Sequence, residues 1–196
     1  DPAPPTPPPP AAVASLEQLA QCAALDGRLV VDAGLGTGDG QPSSAPLGAE
    51  VAVPLLPRLE SVNSLLVTGG LHSLRGLDSL VSVHGTLQVN GTNELVGINA
   101  FKSLKVVGGD LIISHNSVLE LIAGFPSVRH VRGGIVVEHN NVLRELGGFA
   151  RLSRAAGGVR VTHNFALTSI TAMPRLKREI TPGHLDCRVK SSTAPV

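Results

Sequence analysis

Three histidines, His115, His139 and His163, stand 24 residues apart, and each is followed directly by an asparagine, Asn116, Asn140 and Asn164. Evenly spaced imidazoles suggest a metal centre. If each repeat is one rung of a stack, however, the rings sit about 4.8 Å apart at the backbone, and zinc needs ligands converging at roughly 2.0–2.1 Å. No cysteine or carboxylate column lies beside them. The expectation is an exposed turn position and no metal. His72, His84, His130 and His184 fall in other columns.

The asparagines suggest structural chemistry. A side-chain amide at a tight turn bonds backbone groups, and stacked amides bond each other, so polar groups at a buried corner are satisfied. Thr92 takes the same position one repeat earlier, so the expected ladder is Thr92, Asn116, Asn140 and Asn164. Asn90, Gly91 and Thr92 also spell the chain's one N-glycosylation sequon, which makes Asn90 a candidate modification site.

Other chemistry is weaker. The stretch GLGTGDG at residues 34–40 is not a dinucleotide or P-loop fingerprint, lacks the lysine and runs into QPSSAP instead of a helix. Asp39 there is a thin basis for a calcium loop, and the segment reads as an insertion spanning 33–50. No Ser/His/Asp set or paired acids stand out, so no catalytic residue, enzyme activity or cofactor is expected.

These residues are held in register by a 24-residue period. Glycine introduces a short apolar strand at Gly85, Gly109, Gly133 and Gly157, and a fixed period in that range marks a solenoid whose coils bury their apolar faces on their neighbours. Two spacings coexist within a coil. In LIISHN, Leu111 and Ile113 alternate inward with Ile112 outward, as on a strand. Leu95, Ile98, Phe101, Leu104 and Val107 recur every third residue, and on an α-helix each such step would slip by about 60° and scatter them around the axis. Short strands joined by tight turns keep all five inward. A leucine-rich-repeat horseshoe, L-x-x-L-x-L-x-x-N-x-L, is the rival, but the pattern here is V-x-G-x-L-x-V-x-x-N-x-x-L with no helical segment after it.

The predicted fold is all-β: a right-handed parallel β-helix of about seven coils over residues 13–189. Leu25, Gly27, Leu29 and Val31 read in register with Val107, Gly109, Leu111 and Ile113, and a last strand falls around Leu185 to Cys187. Ser15 and Gln18 have capping-box spacing, which predicts a short helix over the N-terminal end. Six coil steps would hold Cys22 and Cys187 roughly 28 Å apart, beyond the reach of a disulfide. Residues 1–12 form a Pro-rich linker or polyproline stalk and 190–196 a tail.

Residues LEQLAQCAALDGRLVV, together with coils of the type GGDLIISHNSVLELIAGFPSV, resemble the receptor L domain, the leucine-rich β-helix of insulin-receptor and epidermal-growth-factor-receptor ectodomains. The resemblance covers about Ser15 to Val189. It implies an extracellular or cell-surface, non-enzymatic module with a protein or glycan partner.

Sixteen basic and fifteen acidic residues leave a net charge of +1, with four Phe and no Trp or Tyr. That composition lacks the basic field and interleaved aromatics of a nucleic-acid binder, and no run of 18 apolar residues could span a bilayer. What remains is surface. The expected outward file is Val30, Val67, Gln88, Ile112, Val136, Arg160 and Asp186, with Gln88, Ile112, Val136 and Arg160 as the candidate binding face. The alternative is a structural glycoprotein of a fibril or cell wall, its Pro run a glycosylated stalk and its open ends joined chain to chain.

Overall fold

The computed structural model describes residues 21–33 and 56–171. Those residues form an all-β solenoid of about five turns, every paired strand parallel to its neighbour, with almost no helix. Three faces wrap one core. The first face stacks the two-residue strands β3 (Ser82–Val83), β6 (Val106–Val107), β9 (His130–Val131) and β12 (Arg154–Ala155). The second stacks β4 (Leu87–Thr92), β7 (Leu111–Ser114), β10 (Ile135–Glu138) and β13 (Val159–Thr162). The third stacks β5 (Gly97–Ile98), β8 (Leu121–Ile122), β11 (Glu145–Leu146) and β14 (Ser169–Ile170).

At the N-terminal end, β1 (Ala24–Ala33) pairs with β2 (Ser61–Gly69), and β2 runs unbroken along the first and second faces. The register Leu25↔Val62↔Val83↔Val107 and Leu29↔Leu65↔Leu87↔Leu111 continues through all these rungs. β1 therefore joins the repeat as its sequence predicts.

The three-residue spacing has a simple cause. Leu104 N–H donates to the Phe101 carbonyl at 3.1 Å, Leu143 N–H to that of Asn140 at 3.1 Å, and Leu152 N–H to that of Phe149 at 3.1 Å. Each coil thus contains two tight i to i+3 turns, and the residues flanking a turn both face inward. Leu95, Ile98, Phe101, Leu104 and Val107 are accordingly all fully buried, each such side chain contributing roughly 1.5–3 kcal/mol on leaving water. Phe101, Phe125 and Phe149 stack face to face at centroid separations of 5.3 and 5.1 Å.

The glycines make the bend between the first two faces. Gly109 N–H donates to the Gly85 carbonyl at 2.8 Å, Gly133 N–H to Gly109 at 3.0 Å and Gly157 N–H to Gly133 at 2.8 Å. A Cβ on Gly109 would lie 2.8 Å from the Gly85 carbonyl carbon, and one on Gly133 2.7 Å from that of Gly109. The backbones touch, so no side chain fits.

One expected position is corrected. Val67 is fully buried and pairs with Val89, whereas Leu66 pairs with Val30 and Gln88 on the outside. The repeat shortens to 22 residues between Leu65 and Leu87, so the outward position opposite Gln88 is Leu66; the expected Val67 lies one residue further on, and one residue exchanges inside for outside. The Ser15–Gln18 helix, the insertion beyond Ala33, the strand at Leu185–Cys187 with Asp186, His184, and the Pro run all lie outside the described residues. About five turns of the expected seven fall within the described residues.

Candidate functional site

The corner after the second face concentrates the chain's polar chemistry. Asn116, Asn140 and Thr92 are fully buried. Asn116 Nδ2 donates to Asn140 Oδ1 at 2.9 Å, and Asn140 Nδ2 donates to Asn164 Oδ1 at 3.3 Å. Thr92 ends the column, its Oγ1 donating to Asn116 Oδ1 at 2.7 Å. Each carboxamide oxygen also accepts the backbone N–H of the rung before it, from Thr92, Asn116 and Asn140 in turn, at 3.0–3.1 Å. Each Nδ2 reaches a carbonyl of the preceding rung: Val89 at 3.2 Å, Ile113 at 3.1 Å and Val137 at 2.9 Å. These side chains complete the turn that a backbone alone would leave unsatisfied.

The residue before each Asn explains the histidines. His115, His139 and His163 have φ of 55, 55 and 54°, and Gly91 holds the same corner one rung earlier with φ 68°. This left-handed conformation suits Gly and, among the others, Asn, Asp and His. The imidazoles are exposed and lie in parallel, 4.7 and 4.5 Å apart with interplanar angles of 8 and 5°. Ring-nitrogen lone pairs lie in the ring plane, so stacked parallel rings direct them side by side. Two neighbouring rings do not converge on one ion. Among the described residues no group of three His, Cys, Asp or Glu has metal-binding geometry.

The outward file of the second face runs Val30, Leu66, Gln88, Ile112, Val136 and Arg160, each directly opposite the next. Ile112 and Val136 are half-buried, Val30 is 50% exposed and Arg160 exposed. Gln88, Ile112, Val136 and Arg160 are thus one continuous row, and Leu66, not Val67, carries the file on beyond Gln88. Asn90 shares this face two residues from Gln88, and its Oδ1 accepts from Ser114 Oγ at 3.1 Å. Among the described residues no helix is long and apolar enough to cross a membrane.

One feature was missed from sequence: Phe165, 80% exposed, stands edge-on to His163 at 6.4 Å. Phe165 occupies the column of Ser117 and Asn141, so its departure from the polar pattern was the available signal. Neither models of known protein families, nor curated proteins, nor solved structures give a match to this chain.

Proposed function

We propose that this chain is a non-enzymatic recognition module of the receptor L-domain type, extracellular or displayed at a cell surface, that binds a protein or glycan partner through the outward file of its second face. The observation that carries the reading is the pairing of Ile112 with Val136 on neighbouring rungs, flanked by Gln88 and Arg160, with Leu66 and Val30 continuing the file beyond Gln88. A row with an apolar centre and a polar end is how interface patches are composed. The buried amides are committed to the turn, so they offer a partner nothing.

The finer architecture in this proposal is a right-handed solenoid of seven coils with a helix over the N-terminal end. The hand follows the strong preference of parallel crossover connections.

The second reading is a fibril or wall glycoprotein in which chains add end to end through unpaired strand edges. Electron microscopy of the native material with glycan mapping of residues 1–10 separates the two. Isolated particles with bare prolines support recognition, whereas filaments with a decorated Pro run overturn it.

A further inference from the structure

The net charge of +1 conceals a separation of charge that only the fold reveals. Four successive rungs of the first face with their bordering turns, residues 78–84, 102–108, 126–132 and 150–156, carry Lys102, Lys105, Arg129, Arg132, Arg151 and Arg154 against one acid, Asp78, and the rung before them adds Arg58 and Glu60. The rest of the coils from 85 to 171 carry Arg144 and Arg160 against Glu94, Asp110, Glu120, Glu138 and Glu145. One side of the solenoid is cationic and the other two anionic.

The six cations are exposed. Lys102 is matched with Asp78 at 3.6 Å, and among the described residues the other five form no ion pair. They also stack. Arg129 N–H donates to the Lys105 carbonyl at 2.9 Å, which sets these two residues on neighbouring rungs, and Arg154 pairs with His130. Like charges opposite each other across strands destabilise a sheet, so the Lys105–Arg129 pair holds repulsion that an anionic partner would relieve.

We infer that the first face is a docking surface for a linear anionic polysaccharide bearing sulfate or carboxylate groups. The rungs repeat every ~4.8 Å, and the cations fall on three successive rungs in neighbouring columns, with Lys105 and Arg129 sharing one, so they form a band across the first face that an extended polymer with repeated anions can follow. Arginine forks suit both groups through paired N–H donors. Single-stranded nucleic acid would call for aromatic platforms among the cations, and the first face has no Phe, Trp or Tyr. That such polymers meet this chain rests on the surface location proposed above; the charge separation does not.

The test measures binding of a heparin oligosaccharide by titration calorimetry from low to physiological salt, with a single-stranded oligonucleotide and poly-glutamate of equal charge as competitors. The expected result is heparin binding stronger than either competitor, with log K falling linearly in log salt. Arg129→Gln with Arg154→Gln weakens it by roughly tenfold and lowers the salt slope by about one per arginine. The double variant Arg75→Gln with Arg144→Gln removes the same charge elsewhere and retains affinity. Equal losses in both variants, no binding at low salt, or preference for the oligonucleotide or the peptide would overturn the proposal. Ile112→Asp leaves heparin affinity unchanged, so failure here is distinct from failure of the second-face reading.

Discussion

Asn140 sits between two copies of itself: its Nδ2 donates to Asn164 Oδ1 at 3.3 Å while its Oδ1 accepts from Asn116 Nδ2 at 2.9 Å. The same oxygen takes the Asn116 N–H at 3.1 Å, and the same nitrogen reaches the carbonyls of Ile113 and Glu138 at 3.1 Å. A single carboxamide therefore ties three rungs together, its oxygen accepting from the rung before and its nitrogen donating to all three.

Asn140→Ala is expected to cost ~1–3 kcal/mol, because buried backbone groups on two rungs lose their partner. Asn140→Asp keeps the acceptor but sets an anion against the Ile113 and Glu138 carbonyls, and should cost more than the alanine. Thr92→Val should cost least, since Asn116 Oδ1 still accepts the Thr92 N–H at 3.0 Å. Urea melts of the three variants check the order, and a loss of binding in Asn140→Ala without loss of stability would assign the column to recognition.

The alternation along the second face gives a second expectation. Leu111, Ile135 and Val67 are fully buried, and Asp at any of them places an unpaired charge in the core at several kcal/mol. Ile112→Asp and Leu66→Asp lie on the outside and should leave the solenoid folded. Circular dichroism melts distinguish the sets, and the Val67/Leu66 pair is the sharpest comparison because one residue of register separates them.

That pair also shows what the sequence could disclose. From Gly85 onward the repeat is strict, and positions such as Leu111, Ile113, Phe125 and Val131 declare their facing by period alone, because every rung solves the same packing problem. Between Leu65 and Leu87 the coil is two residues shorter, so the 24-residue period no longer marks the outward position, and the expected Val67 falls one residue past Leu66. The histidine column was visible, but its cause was not: only the φ of 55° at His115 and His139 shows that the position selects for a left-handed backbone. The charged first face was hidden for a different reason. Composition sums charge over the chain, and the separation exists only once each residue has a face.

Glycine positions divide by what surrounds them. Gly109→Ala should cost about 1–3 kcal/mol, as expected of overpacking, since its Cβ would meet backbone of Gly85 and Thr86 at 2.8–3.0 Å. Gly27 reads in the same repeat position, yet a Cβ there meets nothing within 4 Å. Gly27→Ala should therefore be neutral, or stabilise by up to ~1 kcal/mol through the unfolded chain. Comparable costs at both sites in chemical melts would show that contact between rungs is not what selects glycine.

The histidine corner separates backbone from side chain. His139→Gly should be tolerated, because Gly91 already serves this corner and relieves the positive φ, whereas His139→Val forces a β-branched residue into a conformation it resists. The valine variant should melt lower than the glycine variant. Added zinc should leave the melting temperature of the unaltered protein unchanged, since rings parallel within 8° direct no common coordination point. A zinc-dependent rise lost in His139→Gly would return the column to metal chemistry.

Asn90 carries the last expectation, and it concerns order of events. In the folded chain the Thr92 hydroxyl is buried and donates to Asn116 at 2.7 Å, while Asn90 Oδ1 accepts from Ser114. A glycosylating enzyme reads the sequon through that hydroxyl and an accessible backbone, and here both are built into β4. Modification must then precede closure of the rung. Protein refolded from an unglycosylated host should be refractory to oligosaccharyltransferase, while a denatured sample or a peptide covering residues 85–96 should accept glycan. A glycan added before folding would stand on the second face two residues from Gln88, shadowing Ile112, so Asn90→Gln from a glycosylating host should expose that row to a partner while unmodified chains gain nothing from the change. Efficient glycosylation of the folded protein would show that the Thr92 corner opens, and the stability order expected for the asparagine ladder would fail with it.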